Sequence, residues 1–203
     1  MPKNKAKKSF IWRSNVQKYD VVILHGTGGS PDGNWFPWLK NKLESVGHNV
    51  YVPRFPTPEG QSVKNWCKVL DKQAPRFGRN TILIGHSCGA AYILSILEII
   101  KEPIAASIFV SGFMDKLGND YFDTLNDTFI NKKFDWGKIK TNAGKITIFH
   151  GDNDPYVSFE NVQKLSNKLS TPITVIPNGG HLNSEFGYLE FPEILKCDVL
   201  KQK

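Results

Sequence analysis

Short apolar runs recur along the chain, separated by stretches of the length and spacing that helices need. Asp20-Val21-Val22-Ile23-Leu24 shows no polar alternation and predicts a buried strand, followed by a glycine-rich loop and a helix near Trp35–Val46. His48-Asn49-Val50-Tyr51-Val52 predicts the next strand, and a loop carrying Pro53, Pro56 and Pro58 follows it. From Ser62 to Gln73, the residues Val63, Trp66, Val69 and Leu70 fall on one helical face, with Ser62 placed to cap the first turn. Thr81-Ile82-Leu83-Ile84 predicts a strand, and Ala90–Ile100 a largely apolar helix. Ile104–Val110, Ile146–Phe149 and Ile173–Ile176 predict the remaining strands, with helices expected at Asp120–Ile130, at Phe159–Leu169 and near the C-terminus.

Strands that are apolar on both sides and alternate with helices predict a parallel sheet covered on both faces and wound by right-handed crossovers. The expected fold is therefore α/β, a mostly parallel sheet of about six strands in a three-layer αβα sandwich. Residues 19–203 read as one domain with no insertion large enough for a cap domain. Gly112–Asn142 is the most irregular stretch and the one segment suited to a small flap. Ligands on such sheets sit beyond the carboxyl ends of the strands, so the chemistry is sought in the loops that leave them.

Composition narrows the function classes. With 203 residues, 40% hydrophobic and 22% charged, the chain is neither disordered nor low in complexity. No apolar run approaches the roughly 18 residues of a membrane span. The net charge of +7 is local, because residues 1–18 hold six basic residues and no acid while the rest has 20 basic against 19 acidic. That places the charge on a flexible basic arm, read as a solvated tail rather than a nucleic-acid-binding surface. The arm lacks the apolar core of a secretory signal, since Arg13 interrupts Ser9-Phe10-Ile11-Trp12. Cys67, Cys88 and Cys197 form no C-x-x-C pair, so a reduced, cytoplasmic compartment is expected, with no disulfide framework and no metal. Neither a G-x-G-x-x-G nor a P-loop follows a strand, and no cofactor is expected.

The sharpest motif is Gly85-His86-Ser87-Cys88-Gly89, a G-x-S-x-G with a strand leading in and a helix leading out. That context predicts Ser87 on a strained strand-to-helix turn, exposed as a nucleophile, against the alternative of an ordinary turn with an incidental serine. A serine hydroxyl needs a base, and the base needs an orienting carboxylate, in the chain order Ser, acid, His for this arrangement. Gly151-Asp152-Asn153-Asp154-Pro155-Tyr156-Val157 leaves one later strand and Asn178-Gly179-Gly180-His181 the last, on the same sheet edge as Ser87. His181 is the expected base, leaving His25, His86 and His150 to structural or positioning roles. Asp154 is preferred as the acid over Asp152, which directly follows the strand and suits turn hydrogen bonds, and over Asp115, which follows the Ile104–Val110 strand. Pro155 also keeps Asp154 extended. A developing oxyanion needs backbone donors, expected from the N–H of Cys88 and from His25-Gly26-Thr27-Gly28-Gly29-Ser30, chiefly the N–H of Thr27.

Taken together with Gly33-Asn34-Trp35-Phe36-Pro37-Trp38-Leu39, Phe134-Asp135-Trp136 and Gly179-Gly180-His181-Leu182-Asn183, these blocks give a chain that resembles the α/β-hydrolase superfamily. More narrowly it is similar to the small serine hydrolases typified by retinoblastoma-binding protein 9 and its bacterial relatives, over about residues 20–190. The resemblance implies a minimal α/β-hydrolase fold and places the triad on Ser87, Asp154 and His181. Cys88 stands where that family more often has Leu or Met. Leu195-Lys196-Cys197-Asp198-Val199 lacks the glutamate of an L-x-C-x-E segment, so binding of retinoblastoma-type partners is not carried over.

The favoured expectation is hydrolysis of small carboxylic esters, or of thioesters or amides, through a Ser87 acyl-enzyme. The competing expectation is an inactive module on the same scaffold, binding a protein or ligand through Trp35, Trp38 and the 112–142 segment.

Overall fold

The computed structural model describes residues 17–201, so all but the last two positions of the basic arm, 1–18, lie outside the described residues. Six strands form one sheet: β1 (Asp20–Leu24), β2 (Asn49–Tyr51), β3 (Thr81–His86), β4 (Ala106–Val110), β5 (Lys145–Gly151) and β6 (Ile173–Ile176). All neighbouring strands are parallel, in the order β2-β1-β3-β4-β5-β6. The order reverses between β1 and β3, which opens a crevice at their carboxyl ends.

The period-2 alternation of the strands divides two cores. Val22, Leu24, Leu83, Phe109 and Ile148 pack on one face with α2 (Val63–Gln73), α3 (Cys88–Ile99), α4 (Asp120–Ile130), α5 (Trp136–Asn142) and α6 (Phe159–Leu169). Val21, Ile23, Ile82, Ile84, Ile108 and Val110 pack on the other with α1 (Phe36–Ser45) and the C-terminal segment. The helix α3 is buried continuously from Cys88 to Leu97 because it is covered by the sheet below and by α4 and α5 beside it. Its almost wholly apolar sequence follows from that position.

Three expectations need correction. The C-terminal helix is instead a pair of 3-10 turns, Ser184–Phe186 and Pro192–Lys196. Phe191, Ile194, Cys197 and Leu200 are all buried at a spacing of three, the period of a 3-10 turn rather than an α-helix, with Gly187 and Pro192 breaking any longer run. Within the 112–142 stretch the expected helix at Asp120–Ile130 is α4, but a second helix, α5, follows it, so the stretch is less irregular than expected. Asp135 caps α5 by accepting from Lys138 N at 3.1 Å, a signal offset in the sequence by Gly137 within the first turn. Finally, α3 begins at Cys88 rather than Ala90, directly after Ser87. Among the described residues no helix is long and apolar enough to cross a membrane.

Candidate active site

At the end of β3 the chain turns into α3 through a single residue. Ser87 has φ 55° and ψ −122°, a conformation that costs a non-glycine residue about 1–3 kcal/mol and persists only when its surroundings enforce it. Those surroundings are visible: Ser87 N donates to Val110 O at 2.9 Å, and Ser87 O accepts from Ala90 N at 2.9 Å. At Gly89 a Cβ would lie 2.1 Å from Leu24 O, so only glycine lets α3 approach β1 this closely. Cys88 opens α3, where the first backbone N–H groups have no intrahelical acceptor and the helix dipole is positive. Its side chain is fully buried, and burial pushes the thiol far above its ordinary range, with a hydrogen bond to Thr27 opposing the shift in part.

The loop leaving β1 lies against this turn, for a Cβ added at Gly26 would sit 2.8 Å from Ser87 Cβ and 3.3 Å from Ser87 Oγ. A tight turn over Gly26–Gly29 closes with Gly29 N donating to Gly26 O at 3.1 Å, and Gly28 takes φ 68° as a type II turn requires. Thr27 is the second residue of that turn, whose closure does not use its N–H. Below it, His25 Nε2 accepts from Phe55 N at 3.0 Å, which leaves Nδ1 to donate to Gly26 O at 2.9 Å.

The segment after β5 holds the histidine loop with three consecutive side chains. Asp152 Oδ1 accepts from Asn178 N at 2.8 Å, Asn153 Oδ1 from Gly180 N at 2.7 Å, and Asp154 Oδ2 from His181 Nδ1 at 2.8 Å. The other oxygen of Asp154 accepts from Tyr156 N at 2.9 Å and Val157 N at 3.0 Å. Burial works to raise the Asp154 carboxyl, but the His181 hydrogen bond and charge and these two backbone donors bring it below its ordinary value. A carboxylate at Asp154 accepts only, so the proton of the pair sits on His181 Nδ1 and Nε2 is left as an acceptor. The backbone of His181 is also fixed, its carbonyl accepting from His86 Nε2 at 2.9 Å and Ser111 Oγ at 3.2 Å. Burial lowers His86 to about 3, so it is a neutral donor.

Ser87, His181 and Thr27 line one open cleft of about 220 Å³, together with Leu117, Phe122, Asn126, Tyr156, Val157, Asn183 and Glu185. Among the described residues no hydrogen bond joins Ser87 to His181. Asp152 serves the loop, as its position suggested. Asp115 is exposed, paired with Lys164 Nζ at 3.6 Å, and does not contact His181. Trp35 is not available as a binding surface: it is fully buried, and its Nε1 donates to Leu182 O at 3.0 Å, anchoring the residue after His181. Sequence reasoning missed Asn153, Ser111 and the α4 residues of the cleft wall. Asn153 and the α4 residues carried a signal, lying inside segments already singled out, the second of them as a flap; Ser111 carried none.

The chain is similar to known proteins. The serine hydrolase family profile matches residues 21–200. YdeN of Bacillus subtilis (strain 168) is 29% identical over 184 residues, covering 89% of this chain and 93% of that protein. The crystal structure of the B. subtilis ydeN product superposes with a TM-score of 0.80 at 27% identity, over 88% of this chain and 95% of that one. The serine hydrolase RBBP9 of Rattus norvegicus is 26% identical over 170 residues, covering 82% of this chain and 89% of that protein. Est1E of Butyrivibrio proteoclasticus, solved with ferulic acid bound, shares the fold with a TM-score of 0.64 at 16% identity, over 93% and 90% of the two chains. The chain belongs to the serine hydrolase family.

Proposed function

We propose that this serine hydrolase cleaves small carboxylic esters through a Ser87–His181–Asp154 triad and an acyl-enzyme. The observation that carries the reading is the 2.8 Å bond from His181 Nδ1 to a buried Asp154, beside a cleft that His181 shares with Ser87. Ser87 Oγ attacks the ester carbonyl carbon and gives its proton to His181 Nε2, and the Asp154 carboxylate stabilises the imidazolium that forms. The carbonyl oxygen becomes an oxyanion, received by the N–H groups of Thr27 and Cys88. Collapse expels the alcohol, which takes the proton from His181. Water then attacks the acyl-enzyme, giving its proton to the same nitrogen, and Ser87 and the carboxylic acid are released. The Ser87–His181 hydrogen bond forms when substrate enters, since such contacts are commonly long or misaligned until then.

The cleft is small, since drug-sized ligands occupy cavities of roughly 300–1,000 Å³. Leu117, Phe122 and Val157 limit its apolar wall. Each methylene beyond that wall forgoes about 0.8 kcal/mol of burial, so short acyl chains should be preferred. Two measurements test the function. A fluorophosphonate should modify Ser87 stoichiometrically, and kcat/KM on p-nitrophenyl esters should fall as the acyl chain lengthens. Absence of labelling would favour an inactive binding module, and faster turnover of long-chain esters would refute the substrate class.

A further inference from the structure

Gln61 ends the loop that follows β2, one residue before the Ser62 cap of α2. Its side-chain nitrogen lies 2.9 Å from Thr27 Oγ1 and 3.8 Å from Cys88 Sγ. One NH2 group therefore reaches the side chains of both residues whose backbone N–H groups are assigned to the oxyanion hole. The same nitrogen lies 2.9 Å from Asn126 Oδ1 and 3.1 Å from Leu125 O, both on α4. Thr27 Oγ1 donates to Asn126 Oδ1 at 2.8 Å, closing a triangle between the β1 loop, Gln61 and α4. On its other side, Gln61 Oε1 accepts from Thr57 Oγ1 at 2.6 Å, and that hydroxyl oxygen accepts from Gly28 N at 2.7 Å.

These bonds act on the part of the turn most free to move. The Thr27–Gly28 peptide is the one whose rotation interconverts type I and type II turns, and a glycine at its carboxyl side leaves that rotation sterically open. Gln61 restrains it from both ends, directly through Thr27 Oγ1 and by way of Thr57 through Gly28 N–H. Gln61 and Thr57 do not themselves line the cleft; they act on it from behind, through Thr27 and Asn126, which do.

We propose that Gln61 is a positioning residue of the oxyanion hole, one amide wedged between the Thr27 turn and the Cys88 end of α3, its two N–H groups shared among Thr27 Oγ1, Asn126 Oδ1 and Leu125 O. It acts on the donors, not on the substrate, so its loss weakens stabilisation of the transition state more than binding of the ester. A misplacement of about 1 Å in such a group lowers rate by up to roughly 100-fold, and partial loosening of a turn is expected to cost about tenfold.

The proposal rests on the function proposed above, and the test separates the two. With p-nitrophenyl acetate, Gln61→Met removes both donors at similar volume and should lower kcat about tenfold with KM within about twofold. Gln61→Glu places acceptors against Asn126 Oδ1 and Leu125 O and should lower kcat further. Phenylboronic acid, whose tetrahedral serine adduct mimics the oxyanion, should lose affinity in parallel with kcat. Thr57→Val keeps Gln61 in the chain but removes both the acceptor of Gly28 N–H and the donor to Gln61 Oε1, and should show the same kcat-selective loss, which covers a Gln61 variant that fails to fold. Unchanged kcat in folded variants, a loss confined to KM, or a kcat loss without weaker boronate binding would overturn the role. Wild-type protein without Ser87-dependent turnover would overturn the hydrolase reading itself, and the role of Gln61 with it.

Discussion

Ser87 and Cys88 are neighbours with opposite prospects, and their backbones explain why. Ser87 occupies the strained turn and lines the cleft, whereas Cys88 buries its thiol and is not among the cleft residues. With burial holding that thiol protonated, it is not a nucleophile. Ser87→Ala should therefore reduce kcat by as much as about 10⁶-fold, and Cys88→Ala should keep most activity; the reverse ranking in ester assays would refute a serine mechanism. Asp154 supports a sharper argument. In Asp154→Asn the single amide oxygen best serves the Tyr156 and Val157 N–H groups, which turns the NH2 toward His181 Nδ1. That nitrogen must then accept, the ring proton moves to Nε2, and the base is blocked. A kcat loss of about 10⁴ is expected, comparable to the same change in the serine proteases. Asp115→Asn, which removes an exposed pair with Lys164 and keeps an oxygen for Lys116 N, should change kcat less than about twofold. A crippled Asp115 variant beside a mild Asp154 variant would reassign the acid.

Each element delivers its functional residue by its end. Strand β3 and helix α3 meet at Ser87, and the closeness of α3 to β1 depends on Gly89. With a Cβ 2.1 Å from the Leu24 carbonyl, Gly89→Ala forces the helix away from the sheet and should cost about 3 kcal/mol or more. Ser62→Ala removes the cap that accepts from Asn65 N at 3.2 Å and should cost only about 1 kcal/mol. Urea midpoints at constant m-value measure both, and a Gly89 variant as stable as the Ser62 variant would contradict the packing argument. The same elements show what sequence alone could say. The inner strands β1, β3 and β4 were legible because both of their faces are covered, and Ser62–Gln73 because a cap and an apolar face agreed. The start of α3 was not, because a glycine two residues past Ser87 reads as turn while its helical role depends on β1, which is distant in sequence. The spacing-of-three burial at Phe191, Ile194, Cys197 and Leu200 was present in the sequence but acquires meaning only against the sheet face it covers. Ser87 and His181 stood out by motif and by strand order. Gln61 did not, since nothing local to a proline-rich loop tells that its side chain crosses to the β1 loop and α4.

Across the whole molecule, three histidines are buried at the carboxyl ends of β1, β3 and β5, on the sheet edge that carries the cleft. His25, His86 and His150 are buried, and each has its pKa lowered, with burial the largest cause. Tautomers follow from their partners: His86 and His150 donate through Nε2 to the carbonyls of His181 and Val157, and none of these bonds needs a second proton. The unfolded chain takes up protons at these rings as pH falls below about 6.5, and the folded chain does not, so stability falls with pH in that window. For His86, lowered to about 3, the slope reaches about 1.4 kcal/mol per pH unit, or about 2 kcal/mol lost between neutral pH and pH 5. His25 and His150 act in the same direction. Asp154 acts lower on the scale, because its folded value lies below its ordinary one: its contribution is intact above the ordinary carboxylate range and lost as pH falls through the folded value. Acid should therefore weaken the fold well before it protonates Asp154. Urea denaturation at pH 7.5, 6 and 5 should show a midpoint falling steadily with constant m-value, and the imidazole carbon shifts of His86 should remain those of a neutral ring at pH 5. A midpoint that stays level down to pH 5, or a His86 ring that charges in the folded protein, would show that the enclosure of these histidines does not set the acid limit of the fold.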